Sequence, residues 1–113
     1  GGAVRALVFM AALLLATPAA AQQEDPEGNA ERGAGLAAML CAECHDIQPG
    51  GAFKEYPPSF AAIAVYRDRA QILGRIFFPP FHSAMPQMGD MLTPQQVFDL
   101  AAYIRSLEGP ARP

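Results

Sequence analysis

Two cysteines and a histidine stand together at Cys41-Ala42-Glu43-Cys44-His45. Thiols at i and i+3 fall on one side of a helical turn. Both can then reach the two vinyl groups on one edge of a porphyrin and become thioethers. An imidazole one residue further on can turn toward the iron. This spacing is the attachment pattern of a c-type haem. It makes Cys41 and Cys44 the covalent tethers and His45 the proximal axial ligand. Two other chemistries use a CxxC pair, a redox disulfide and half of a zinc site. The redox motif sits beside a βαβ pattern, and no strand run is visible here. A zinc site wants four donors, and the cysteines and histidines are only Cys41, Cys44, His45 and His82.

An iron held by one histidine needs a sixth ligand if it is to carry electrons rather than bind gas or peroxide. Methionine is suited, because its soft thioether stabilises ferrous iron and raises the reduction potential. Three methionines, Met85, Met88 and Met91, share the loop from His82 to Leu92. Met85 is followed by Pro86, whose fixed backbone angle helps to hold the sulfur. It also lies far enough past His45 for the chain to wrap to the other haem face. Met85 is therefore the expected ligand, with Met88 next, and His82 would give a bis-histidine iron instead. A methionine taken singly is more often a filler of apolar gaps.

Helices must position these side chains. Asn29 is a plausible N-cap for a helix from about Ala30 to Leu40, with Glu31 in its first turn. Leu36, Ala37 and Leu40 give it an apolar face, and Gly33 marks a close crossing by another helix. Residues 46–58 are rich in proline and glycine and read as loop. Ser59 opens a short helical turn through Ala64, and a second segment runs from Arg67 or Asp68 to Ile76 or Phe77. Phe77-Phe78-Pro79-Pro80-Phe81 is apolar but broken by prolines, so it covers a haem face or fills the core. The last helix is the best marked. Thr93 is its N-cap, Pro94 its first residue and Gln96 completes a capping box. Val97, Leu100, Ala101, Ile104 and Leu107 follow at helical spacing, and Gly109-Pro110 stop it.

The 113 residues suffice for one small domain with a limited core. A large apolar cofactor would supply much of what the side chains cannot. The formal charge of −3 gives no sign of nucleic-acid binding. Arg5 precedes the apolar run Ala6–Ala16, which is short for a bilayer. Pro18 and the small residues Ala19-Ala20-Ala21 follow, the anatomy of a secretory signal peptide. An uncleaved membrane anchor is the alternative. The expected organisation is a signal peptide over 1–21, a flexible leader over 22–28, one domain over 29–109 and a tail over 110–113. Export would normally mark a cysteine pair as a disulfide; haem attachment consumes the same two thiols.

Four stretches together resemble the small class I bacterial cytochromes c: GAGLAAMLCAECH over 33–45, PPSFAAIA over 57–64, HSAMP over 82–86 and LTPQQVFDLAAYIRSL over 92–107. The resemblance implies an all-α cytochrome c fold, three to five helices around one covalently bound haem, with the N- and C-terminal helices crossing. It implies haem c held by Cys41 and Cys44 and ligated by His45 and Met85. It also implies that Tyr103 packs at Gly33 and that Leu100 and Ile104 face the haem. The carbonyl of Pro57 or Pro58 would accept a hydrogen bond from the far nitrogen of His45. Two departures stand out: Ala37 replaces an aromatic residue common in relatives, and the loop between Pro86 and Thr93 is long and rich in methionine.

The function expected on this basis is a periplasmic one-electron carrier cycling Fe(II)/Fe(III), a non-enzyme that docks donor and acceptor proteins briefly. It would be a monomer or a subunit of a redox complex, on a membrane only if the signal peptide is retained. A haem c subunit of a periplasmic dehydrogenase or oxidase complex is the alternative. A haem sensor or peroxidase, with an open iron position, is a third class.

Overall fold

A computed structural model describes residues 24–53 and 56–108. The expected signal peptide over 1–21, the Gly109-Pro110 helix stop and the tail over 110–113 lie outside the described residues. Four α-helices and one 3-10 turn follow in order, and the described residues contain no strand. They are α1 (Ala30–Leu40), α2 (Phe60–Tyr66), α3 (Arg69–Phe77) and α4 (Pro94–Ser106), with the 3-10 turn at Met88–Asp90.

Each helix starts on a side chain that takes up an otherwise orphaned backbone donor. Asn29 accepts from the Arg32 amide at 2.9 Å, and Ser59 accepts from Ala62 at 3.1 Å. Asp68 with Gln71, and Thr93 with Gln96, form reciprocal capping boxes. The Thr93 box and Pro94 are as the sequence predicts. The short helix expected to end at Ala64 runs on to Tyr66, because Ile63 and Val65 continue its apolar pattern until Arg67 turns extended.

The frame of the fold is the crossing of α1 on α4. A Cβ at Gly33 would fall inside van der Waals contact of the Asp99 carbonyl and only 2.8 Å from the Tyr103 Cβ. Only glycine lets the two helices approach so closely, so the contact expected between Gly33 and Tyr103 is present. Asp99, 2 % exposed, locks the same junction. It accepts from the Asn29 amide at 2.8 Å, from Arg32 Nε at 2.9 Å and from Gln95 at 2.9 Å. Burial alone would raise the Asp99 pKa. The hydrogen bonds from Arg32, Gln95 and Asn29 outweigh it and hold the carboxyl below its ordinary value.

The stretch over 22–28 was expected to be a loose leader. Over its described part it is tied down: Gln95 donates to the Asp25 carbonyl at 2.9 Å, and Arg69 donates to the Pro26 carbonyl. Arg69 also lies over the Phe98 ring, 5.8 Å from its centre. A single apolar core gathers Ala37 from α1, Phe60 from α2, Ile72 and Ile76 from α3, Met88 from the 3-10 turn, and Val97, Leu100, Ala101 and Ile104 from α4. Ala37 is wholly buried.

Candidate functional site

The CxxCH stretch begins where α1 stops. It is a tight turn just past the end of the helix. Cys41 and Ala42 both donate to the Ala37 carbonyl, at 2.9 and 3.0 Å, which closes the helix. Cys44 and His45 then both donate to the Cys41 carbonyl, at 3.2 and 2.9 Å. These bonds keep a helix-like curl, so the two thiols stay close along one turn. Both cysteines are free, Cys41 half-buried against the core and Cys44 exposed. Burial, and secondarily the neighbouring Cys44, push the Cys41 thiol above its ordinary pKa.

His45 is held from one side. Its Nδ1 lies 2.7 Å from the carbonyl oxygen of Pro58. A carbonyl can only accept, so the hydrogen sits on Nδ1, and in the neutral ring that leaves the lone pair on Nε2. An imidazole oriented in this way is prepared as a metal ligand at Nε2. The Phe60 ring lies against it, centre to centre 5.3 Å and tilted 48°. Ser59, fully buried, fixes the start of α2 immediately after Pro58, so the carbonyl is anchored by a helix cap.

The three loop methionines occupy three different environments. Met88 is 4 % exposed and belongs to the core. Met91 is 60 % exposed. Met85 lies between them, partly buried and packed against the same core as Cys41. The loop is braced on both sides of Met85. Ser83 bonds the Pro80 carbonyl at 2.8 Å, and Gln87 bonds the Pro79 carbonyl at 3.1 Å. His82 is exposed.

Phe78 and Phe81 are exposed, so they do not fill the protein core; only Phe77 and Pro79 of that stretch are drawn inward. Phe53 and Tyr56 are exposed as well. Among the described residues no three His, Cys, Asp or Glu side chains converge on a common point, which leaves the zinc alternative without a donor set. The donors present fit a haem c: two free thiols on one turn, an imidazole with a free Nε2, and a thioether from a separate loop on the same core.

Two positioning contacts, one made by Asp99 and one by the Tyr103 hydroxyl, have no counterpart in the sequence analysis. Asp99 sits in an amphipathic helix, where a polar residue is ordinarily solvated. Its place one residue before Leu100, between apolar positions, was the available signal. Nothing in the sequence marked the hydroxyl of Tyr103, which donates to the Ile47 carbonyl at 2.6 Å.

A small all-helical domain with a CxxCH turn and a crossing of first and last helices defines the class of single-haem, electron-carrying proteins. The family description that matches is "Cytochrome c", over residues 30–108, and the chain belongs to the cytochrome c family. The family implies a covalently bound haem c, and Cys41, Cys44 and His45 are consistent with its attachment motif. No curated protein and no solved structure matched the chain.

Proposed function

We propose that this protein is a one-electron carrier of the periplasm, with haem c bonded to Cys41 and Cys44 and the iron ligated by His45 and Met85. The observation that carries the reading is the 2.7 Å bond from His45 Nδ1 to the Pro58 carbonyl, which leaves Nε2 free beside two unpaired thiols. The haem supplies a reversible Fe(II)/Fe(III) couple when bound. Cys41 and Cys44 tether it, and the Pro58 carbonyl holds His45 in one tautomer and one orientation. Met85, on a braced loop, would supply a soft thioether donor to the iron. Leu100 and Ile104, buried on α4, would line the pocket and keep water away. Retaining both ligands in both oxidation states limits reorganisation, which suits electron transfer better than an open iron position.

No helix among the described residues is long and apolar enough to cross a membrane. The signal-peptide pattern of residues 1–21 supports export, and the donor and acceptor would be proteins docking through a small interface. Mass spectrometry of the protein made in cells able to mature c-type cytochromes tests the core of this reading. One haem adduct and an N-terminus at Gln22 are expected. A protein that comes out without haem, its thiols free or joined, overturns it. Optical spectra of the oxidised protein test the ligands. The long-wavelength thioether-to-iron band is expected. Its absence, with ready carbon monoxide binding on reduction, indicates an open iron and a sensor or peroxidase instead.

A further inference from the structure

The segment that carries His45 is gripped a second time, from α4. Tyr103 donates its hydroxyl hydrogen to the carbonyl of Ile47, two residues past the imidazole, at 2.6 Å. Its ring lies 6.4 Å from that of Phe60, whose ring in turn lies 5.3 Å from that of His45. The Phe60 amide donates to the Asp46 carbonyl at 2.9 Å. The backbone immediately after His45 is thus bonded at two successive carbonyls, one from α2 and one from α4. His45 directly precedes these anchors, and its ring is flanked by Phe60 of α2, which in turn neighbours Tyr103 of α4.

Tyr103 is also the residue whose Cβ closes on Gly33. That contact needs only the start of the side chain. A phenylalanine would meet it equally well and would keep the ring against Phe60. The hydroxyl is required for neither packing role. Its bond falls on Ile47, a residue 7 % exposed, where a carbonyl deprived of its donor has little water to replace it.

We propose that Tyr103, acting through Ile47 and Phe60, is a positioning residue for the His45 imidazole: it fixes the ring plane that the Pro58 carbonyl alone, as a single pivot, leaves free to rock. The proposal rests on His45 being an iron ligand.

Tyr103→Phe in the haem-loaded protein is the test. Two readouts report the imidazole rather than the helix crossing: the spread of g values in the electron paramagnetic resonance of the oxidised protein, and hydrogen exchange of the His45 Nδ1 proton. The variant is expected to change the g-value spread, to shift the midpoint potential beyond measurement error and to speed exchange roughly five- to tenfold, as for the loss of one ordinary hydrogen bond. Unchanged g values and exchange overturn the proposal, whether or not the melting temperature falls, and would leave Tyr103 as a helix-packing residue alone. Should Tyr103→Phe fail to accumulate, Phe60→Leu keeps the backbone bond to Asp46 and removes the flanking ring. It must alter the same two readouts, and wild-type values there are equally fatal. A wild-type spectrum without histidine-ligated low-spin iron would strike the haem-ligand reading itself, before any variant is made.

Discussion

Arg32 Nε donates to Asp99 Oδ2 at 2.9 Å across the junction of α1 and α4, joining an exposed guanidinium to an almost wholly buried carboxylate. The two partners are not equivalent. Asp99 also satisfies the Asn29 amide and Gln95, so its removal orphans several donors at once. Asp99→Ala is expected to cost about 3 kcal/mol, in the range for breaking a buried polar network. Arg32→Ala leaves a carboxylate that still has two donors. It should cost far less, as for a solvent-screened surface pair. Urea unfolding of the two variants, followed by circular dichroism, checks the asymmetry; equal losses would contradict it.

The same carboxyl gives a pH dependence with a definite sign. Its folded pKa is lowered, chiefly because the hydrogen bonds from Arg32 and Gln95 overcome the opposing effect of burial. A lowered folded pKa means that the unfolded chain takes up the proton first. The stabilisation is therefore complete above the unfolded value of about 3.9 and drains away as pH falls through the folded one. The difference in unfolding free energy between wild type and Asp99→Asn should be constant from neutral pH down to about 4 and shrink below it. A difference that grows on acidification would reverse the assignment.

Gly33 and Gly35 are both inside α1, two positions apart, and should respond oppositely to alanine. A methyl at Gly33 runs into the Asp99 backbone, which cannot move without parting the helices, whereas at Gly35 nothing lies within 4 Å. Gly33→Ala is expected to lose about 2–4 kcal/mol, an overpacking penalty with no flexible neighbour to absorb it. Gly35→Ala should gain about 0.5–1 kcal/mol from helix propensity. Thermal melts of the pair distinguish a packing glycine from a tolerated one.

Ser59 connects helix capping to the site. It is buried, accepts from the Ala62 amide at 3.1 Å, and directly follows the carbonyl that holds His45. Ser59→Ala should cost about 1–2 kcal/mol, the usual value of a lost N-cap. Hydrogen exchange at Ala62 should rise with it, and a change confined to distant amides would argue against the cap as the cause.

What could be read from the sequence was what local chemistry dictates. Asn29, Ser59, Asp68 and Thr93 are caps because their side chains compete for amides within a few residues, and each was visible as such or bounded a helix correctly. Gly33 was legible because glycine amid an apolar helix has few uses other than close approach. The 3-10 turn at Met88–Asp90 was read as plain loop. Nothing local specifies it; it forms because Met88 is drawn into the core below α3. The tie of residues 24–28 to α4 was missed for the same reason. Its bonds join partners about seventy residues apart, Asp25 with Gln95, and no short window contains both. The exposure of Phe78 and Phe81 likewise depends on how the two prolines between them turn the chain.

Met85 and Met88 stand three positions apart in one loop, yet the structure divides their roles. Met88 is buried among core side chains, and Gly89 beside it lies against the Phe77 carbonyl, so that part of the loop is pinned to the end of α3. Met85 reaches the core only partly and has no comparable packing role. Met88→Ala should therefore cost about 2–4 kcal/mol, as for truncating a buried side chain, while the thioether-to-iron band persists in the oxidised protein. Met85→Ala should abolish that band and lower the reduction potential, since a thioether favours ferrous iron and water does not. Met85→Ala should cost less in the unliganded fold than Met88→Ala. The double comparison separates ligand from anchor: retention of the band in Met85→Ala and its loss in Met88→Ala would exchange the two roles, loss in neither would move the sixth ligand to Met91, and a wild-type protein without the band would point to His82.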